Sequence, residues 1–369
     1  MFYFLLKSNM RMKIGILTFH YPNNYGALLQ SYSLISYLRQ MNLEAEIIDY
    51  VPSLFKESSF FSGSKTLRGF MGNILRIPFY KKWRVRNFKL NNFRNYKIIK
   101  SERINDNSNI FFKYDIVITG SDQTFNRSFS YTNIYYQNYE KPIGHKKIAY
   151  APSFGSMDMT IKPDFEMLKS IMDFDSLSCR EIEGVEYLKK NTGLAVSHVL
   201  DPVFLTDKES WSKLASNKET HSNYVFIYDL NGKMPMINLA KEMFPNKKLI
   251  VFSNDVLMPF YARKVSNISF VQDIGVEEFL SYIKDADFVM TDSFHGTAFS
   301  IIFEKQFYTY IALEKAAGRI RSLLHQLNLN DRIVRKDEWN NSIIDYPNIM
   351  LNSLIQKSKD YLIHSIYEN

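Results

Sequence analysis

Short apolar runs alternate with amphipathic stretches along most of the chain. Lys13–Thr18 is an apolar run bounded by loop residues, the pattern of a strand buried on both faces. Tyr21–Gly26 reads as a loop, and Ala27–Gln40 carries Leu28, Leu29, Tyr32, Ile35 and Leu38 at a helical period. Glu46–Tyr50 is the next strand, so the chain opens as a βαβ unit. Residues 52–112 break this rhythm and read as an insertion of short helices. The alternation resumes with strands at Tyr114–Thr119, Lys147–Ala151, Ser176–Ser178 and Ala195–Leu200, and helices near 162–172 and over Glu181–Lys190. A polar stretch, Lys218–Asn223, reads as a linker. Beyond it, strands are expected at Tyr224–Tyr228, Leu249–Phe252, Ile268–Val271, Asp287–Thr291 and Phe307–Ile311. Helices are expected between them at Met236–Met243, Val276–Lys284, Gly296–Glu304 and Arg319–Leu327, with a final amphipathic helix over Met350–Ile366. This pattern predicts two doubly wound α/β domains, 12–215 and 220–345, followed by a C-terminal helix in 346–369.

Composition agrees: 369 residues exceed what one core usually supports, and 46% hydrophobic with 23% charged residues is an ordinary globular balance. The lone Cys179 excludes a disulfide framework and a Cys-based zinc site. The apolar runs are too short to span a bilayer, and Met1–Leu6 lacks the basic region and cleavage site of a signal peptide. A cytoplasmic protein is therefore expected, with residues 1–11 as a start-site extension before Met12. Charge changes the picture more. Eleven Lys and Arg and no Asp or Glu lie between Lys65 and Lys100, more than the whole net charge of +8. The rest of the chain is thus slightly acidic, and the protein is near neutral with one cationic, aromatic segment.

Ligands of open parallel sheets bind at the carboxyl ends of strands. Polar clusters fall at those ends here: His20, Asn24, Tyr25 and Gly26 after the first strand, Asp122, Gln123 and Asn126 after Thr119, Arg180 after Ser178, and Asp292–Gly296 after Thr291. Several such clusters at one edge point to a cleft between two domains. His295 is the sharpest residue. It stands at a helix start, where backbone N–H groups favour an anion. There the helix disfavours an imidazolium and a bound anion favours it, a combination suited to a general acid. A histidine capping a strand–helix turn is the plain alternative. The Arg180 fork suits a carboxylate or phosphate, against the alternative of a surface arginine paired with Glu181 or Glu183. Arg319 and Arg321 open a helix against its dipole, a placement that a nearby anion would explain. Asp122, Gln123 and Asn126 suit sugar hydroxyls, or else serve as loop and cap residues. Asp201-Pro202 reads as a structural turn. The remaining histidines show no metal-ligand spacing, so no metal site is expected. Neither a GxGxxG nor a P-loop is present.

Several motifs occur in order between residues 12 and 330: Met12–Thr18 with Asn24–Gln30, Ile48-Asp-Tyr50, Tyr114–Gln123, Ala149–Gly155, Ser178-x-Arg-Glu181, Leu200–Leu205 and Thr291–Thr297. Together this set resembles the polysaccharide pyruvyl transferase family. The resemblance implies a GT-B-like fold, two Rossmann-like domains facing a cleft, the first for the acceptor and the second for the donor. It implies transfer of pyruvate from phosphoenolpyruvate to a sugar of a surface polysaccharide or its lipid-linked precursor, forming a ketal, with no cofactor beyond that donor. His295 and Arg180 take the positions of the family's histidine and arginine. Ser293, Gly296, Thr297, Arg319 and Arg321 become donor-binding candidates. His20, Asn24, Tyr25, Gly26, Asp122, Gln123 and Asn126 become acceptor-binding candidates. Ser293-Phe294 stand where family members carry Arg-Leu, which leaves Arg319 or Arg321 to supply the missing cation.

A glycosyltransferase with a sugar-nucleotide donor on the same fold is the rival enzyme reading. A nucleic-acid binder using the cationic segment is a third. It is disfavoured because such binders rarely carry a cleft constellation in two further domains, so no nucleic acid is expected as a partner. Residues 65–100 are instead expected to contact an anionic bilayer peripherally at the inner face of the membrane, with a solvated basic face as the alternative.

Overall fold

The structure, a computed structural model, describes residues 12–368 apart from 54, 56–58, 62, 64–65, 105–107, 128–131, 156–163, 217–222, 233, 263–264, 312–316, 336–341 and 347–349. The start-site extension 1–11, Lys65 and most of the expected linker lie outside the described residues.

Two parallel sheets organise the chain. The first runs in the order β2-β1-β3-β4, from β1 (Lys13–Leu17), β2 (Glu44–Ile47), β3 (Ile116–Thr119) and β4 (Lys146–Ala149). A short ladder of β5 (Ser178–Cys179) and β6 (Ser197–His198) continues beyond β4 through a bridge between Ile148 and Ser176. The second sheet holds β7 (Tyr224–Asp229), β8 (Lys248–Ser253), β9 (Ile268–Phe270), β10 (Phe288–Thr291), β11 (Gln306–Tyr310) and β12 (Ile333–Val334). Its order, β9-β8-β7-β10-β11-β12, is the 3-2-1-4-5-6 order of a doubly wound Rossmann sheet. All six residues of β7 are buried, as expected of a central strand covered by helices on both faces.

Helices α1 (Tyr25–Gln40), α2 (Leu67–Arg76), α3 (Tyr80–Tyr96), α4 (Phe165–Ile171), α5 (Ile182–Thr192) and α6 (Lys208–Leu214) accompany the first sheet in sequence. Helices α7 (Met234–Met243), α8 (Met258–Tyr261), α9 (Val276–Asp285), α10 (Phe294–Ile302) and α11 (Gly318–Gln326) accompany the second. The last helix, α12 (Leu351–Tyr367), returns to the first half, where Tyr361 donates to the Ala149 carbonyl at 2.8 Å and Ser358 accepts the Leu200 N–H at 2.9 Å.

Two helix starts position the site. Asn24 caps α1 by accepting the Ala27 N–H, and Ser293 caps α10 by accepting the Gly296 N–H. Each helix therefore begins two residues earlier than apolar periodicity alone suggests, which brings Gly26 and His295 into first turns. Residues 52–112 also differ from the expected run of short helices. The 17-residue helix α3 spans both halves: Lys89 pairs with Glu278, and the Arg86 guanidinium lies 5.6 Å from the Phe252 ring. Part of the cationic segment is thus a strut, held by charges and rings from the second half.

Candidate functional site

The strand order reverses between β1 and β3 in one sheet and between β7 and β10 in the other. The loops beyond these points face each other, and one carboxylate gathers what they carry. Asp201 follows β6 and is buried. Its Oδ1 accepts the Val203 N–H at 3.1 Å, which makes the structural turn that Asp-Pro announces. Its Oδ2 accepts from Ser121 Oγ at 2.9 Å and from Arg180 Nη1. His295 Nε2 stands 3.7 Å from the same oxygen, within ion-pair range but beyond a hydrogen bond. Burial pushes the Asp201 carboxyl up, but the His295 ring and the Arg180 guanidinium outweigh it and hold the group well below the usual carboxylate range.

Arg180 is only 3% exposed, so it is not a surface residue paired with Glu181 or Glu183. Its partner is Asp201, and the ring of Phe294 lies 4.4 Å from its guanidinium carbon. Burial lowers the Arg180 pKa, but the charges of Asp201, Glu181 and Asp122 raise it further, so the guanidinium is held charged. Arg319, in the first turn of α11, shares this environment. Burial and then the Arg180 charge push its pKa down, while Asp122, Glu181 and Asp201 pull it back up. Arg321 lies two residues on, roughly 200° further round the helix.

Four nitrogens in this cluster are buried and make no hydrogen bond within the described residues: Nε and Nη2 of Arg180, Nε of Arg319 and Nε2 of His295, itself 8% exposed. Buried polar groups are ordinarily satisfied, and an unmade bond at such a group costs about 1–3 kcal/mol. Arg180 and His295 share the Asp201 carboxylate and Arg319 feels its charge; unsatisfied nitrogens grouped in this way are what a site for an incoming anion looks like. The α1 start closes the space from the other side. A Cβ on Gly26 would sit 2.0 Å from His295 Nδ1, so only glycine lets the imidazole lie there.

The remaining candidates occupy varied positions. Ser293 spends its hydroxyl on the α10 cap, and Gly296 packs tightly against Thr291 and Tyr228. Thr297 is buried and bonds the Ser293 carbonyl and Thr309. Asn24 is exposed at the α1 cap. The Tyr25 hydroxyl donates to the Ile274 carbonyl and its ring stacks on Phe279, a contact between the two halves. His20 is fully buried, with Nδ1 against the Thr18 carbonyl and Nε2 2.9 Å from Asp49. Asp122 caps its own turn at Gln123 N and is felt by both arginines. Asn126 donates to Gln123 Oε1, so these two amides hold each other beneath Gly155.

Two participants escaped the sequence reading. Asp201 is one; an Asp-Pro after a strand signals a turn and gives no sign of the second carboxylate oxygen. Glu181 is the other. It is buried, accepts from Ser153 Oγ and Phe154 N through Oε1, makes no bond through Oε2 among the described residues, and is pushed up by burial.

The fold and this cleft define a GT-B-like protein of two Rossmann-like halves. The structure is similar to that of UDP-GlcNAc 2-epimerase from Methanocaldococcus jannaschii in complex with UDP-GlcNAc and UDP, at 12% identity, 96% of this chain, 100% of that one and a TM-score of 0.51. A putative UDP-N-acetylglucosamine 2-epimerase from Listeria monocytogenes matches at 11% identity over 96% of this chain and 88% of that one, with a TM-score of 0.52. The UDP-GlcNAc 2-epimerase from Neisseria meningitidis, bound to UDP-GlcNAc, matches at 10% identity over 97% and 100%, with a TM-score of 0.51. At these identities the likeness is one of fold. A search of curated proteins found no significant match. The model of the family described as polysaccharide pyruvyl transferase matches residues 24–312, and the chain belongs to that family of transferases.

Proposed function

We propose that the protein transfers pyruvate from phosphoenolpyruvate to a sugar of a surface polysaccharide or its lipid-linked precursor, forming a cyclic ketal, at the cytoplasmic face of the membrane. The observation that carries this reading is the set of unsatisfied nitrogens of Arg180, Arg319 and His295 around Asp201. A small trianionic donor needs two cationic clamps and a proton source, and these are the groups that converge.

In this reading Arg180 and Arg319 hold the donor's carboxylate and phosphate, and charge-assisted bonds to a planar fork fix its orientation. His295 gives its proton to the donor's methylene carbon, which becomes a methyl group. The adjacent carbon becomes an oxocarbenium ion, stabilised by the oxygen that bridges it to the phosphate. One sugar hydroxyl adds to it and returns a proton to His295. A second hydroxyl then displaces inorganic phosphate, its proton leaving with the phosphate, and closes the ketal. Asp201 orients Arg180 and His295 and is a positioning residue, not a base. Asp122, partly exposed and acting on the charge of both arginines, is an acceptor candidate beside the donor clamps. Gln123 and Asn126 shape the loop that carries it.

The test is thermal shift with phosphoenolpyruvate against a panel of sugar nucleotides, followed by ketal detection on lipid-linked oligosaccharides by mass spectrometry. Stabilisation by phosphoenolpyruvate supports the proposal. Stabilisation by a sugar nucleotide alone moves the protein to the glycosyltransferase reading.

A further inference from the structure

Helix α2 is amphipathic in the inverted sense. On its wheel Leu67, Phe70, Met71, Ile74 and Leu75 form one continuous apolar arc, and Arg68, Gly69, Gly72, Asn73 and Arg76 form the other. A helix of a globular protein turns the apolar arc inward. Here each of the five apolar residues is exposed, Leu67 at 76% and Phe70 at 63%, while Gly69, Gly72, Asn73 and Arg76 are partly covered. The run continues outward through Ile77 and Pro78. The base is fixed: Phe79 meets the Phe260 ring at 5.4 Å, and Arg76 donates to the Phe60 carbonyl at 3.5 Å. The apolar arc is therefore held outward by a built attachment.

Charge names the occupant. Arg68, Lys81, Lys82 and Arg84 are exposed on α2 and the first turns of α3, and no acidic residue lies between Lys65 and Lys100. The cations that brace the fold, Arg86, Lys89, Arg94 and Lys100, are a separate set further along. Tyr80 and Trp83 stack beside the exposed group, the residue types that settle at a headgroup layer. A two-fold contact with a second copy would set these four cations against their own counterparts, which disfavours self-association on this face. No helix among the described residues is long and apolar enough to cross a membrane.

We infer that α2 lies in the plane of an anionic bilayer, its apolar arc among the acyl chains and Arg68, Lys81, Lys82 and Arg84 at the phosphates. This rests on α2 and α3 alone and holds whatever the donor is.

Co-sedimentation of the full chain with phosphatidylcholine vesicles, with and without phosphatidylglycerol, tests it. Wild type is expected to bind the anionic vesicles and not the neutral ones. Phe70→Ser with Ile74→Ser, and separately Lys81→Ala with Lys82→Ala and Arg84→Ala, are each expected to weaken binding by about tenfold or more. Circular dichroism like that of wild type shows that these exposed positions leave the fold intact. Failure of wild type to bind, or equal binding by all three proteins, overturns the inference. So does a lipid-free dimer that Phe70→Ser with Ile74→Ser dissolves.

Discussion

The guanidinium carbon of Arg180 lies 4.4 Å from the centre of the Phe294 ring. Phe294 belongs to the Ser-Phe pair that replaces the Arg-Leu expected from the family resemblance, so the substitution supplies a face for the remaining arginine to lie on. A buried cation–π contact of this kind contributes about 0.5–2 kcal/mol. Phe294→Leu is expected to raise the KM for phosphoenolpyruvate by roughly 3- to 30-fold with a smaller effect on kcat. Steady-state kinetics on the two proteins check this.

Asp201 is the shared partner of Arg180, Ser121 and His295. Asp201→Asn keeps the shape and removes the charge, leaving the Arg180 guanidinium uncompensated in a buried place. Removing one member of a buried pair costs about 3–5 kcal/mol, so Tm is expected to fall by roughly 10 °C. Because its folded pKa is depressed, the Asp201 contribution is present above the ordinary carboxylate range and is lost only as pH falls well below it. The wild-type minus Asp201→Asn difference in Tm is accordingly expected to stay constant from pH 6 to 8, on the order of the same 10 °C.

Gly26 touches the His295 ring from the first turn of α1. Gly26→Ala places a methyl group where the imidazole lies, and the ring must swing away. Misplacement of a catalytic group by about 1 Å costs about 100-fold in rate. The variant is expected to lose that much kcat while keeping wild-type circular dichroism, since alanine suits a helical position.

His198 joins the two halves: Nε2 is 3.1 Å from the Arg180 carbonyl and 3.2 Å from Ser322 Oγ and from Gln326 Nε2. Burial pushes its pKa down. The unfolded chain therefore binds more protons as pH drops below about 6.5, and folded stability is lost in that window. His145 shifts in the same direction through burial and adds to the slope. Melting temperature is expected to fall from pH 7.5 to 5.5, and to fall less in His198→Gln.

Much of this was legible before any coordinates. Apolar runs too short for helices and uniformly apolar gave both parallel sheets, and polar residues after Thr119 and Thr291 marked the cleft edge. Helix starts were displaced because a cap is set by one side chain, Asn24 or Ser293, and not by apolar period. The site was less legible, for a physical reason. Position after a strand names a loop but not which side chain turns inward. Tyr25 and Thr297 therefore sit in packing, and His20 is tied to Asp49, while Arg319 joins Arg180 from more than 130 residues away. The cationic segment shows the same limit. Its net charge is a sum over residues, and only the fold separates the bracing cations from the exposed ones.

In the proposed reaction His295 delivers the proton that opens phosphoenolpyruvate. Inorganic phosphate release from phosphoenolpyruvate and an acceptor sugar, compared between wild type and His295→Ala, tests it most directly, with His295→Gln as a variant that retains bulk. Loss of a general acid is expected to slow release by about 100- to 10,000-fold in both variants while phosphoenolpyruvate still raises their melting temperatures. Release at the wild-type rate in either variant would contradict the account.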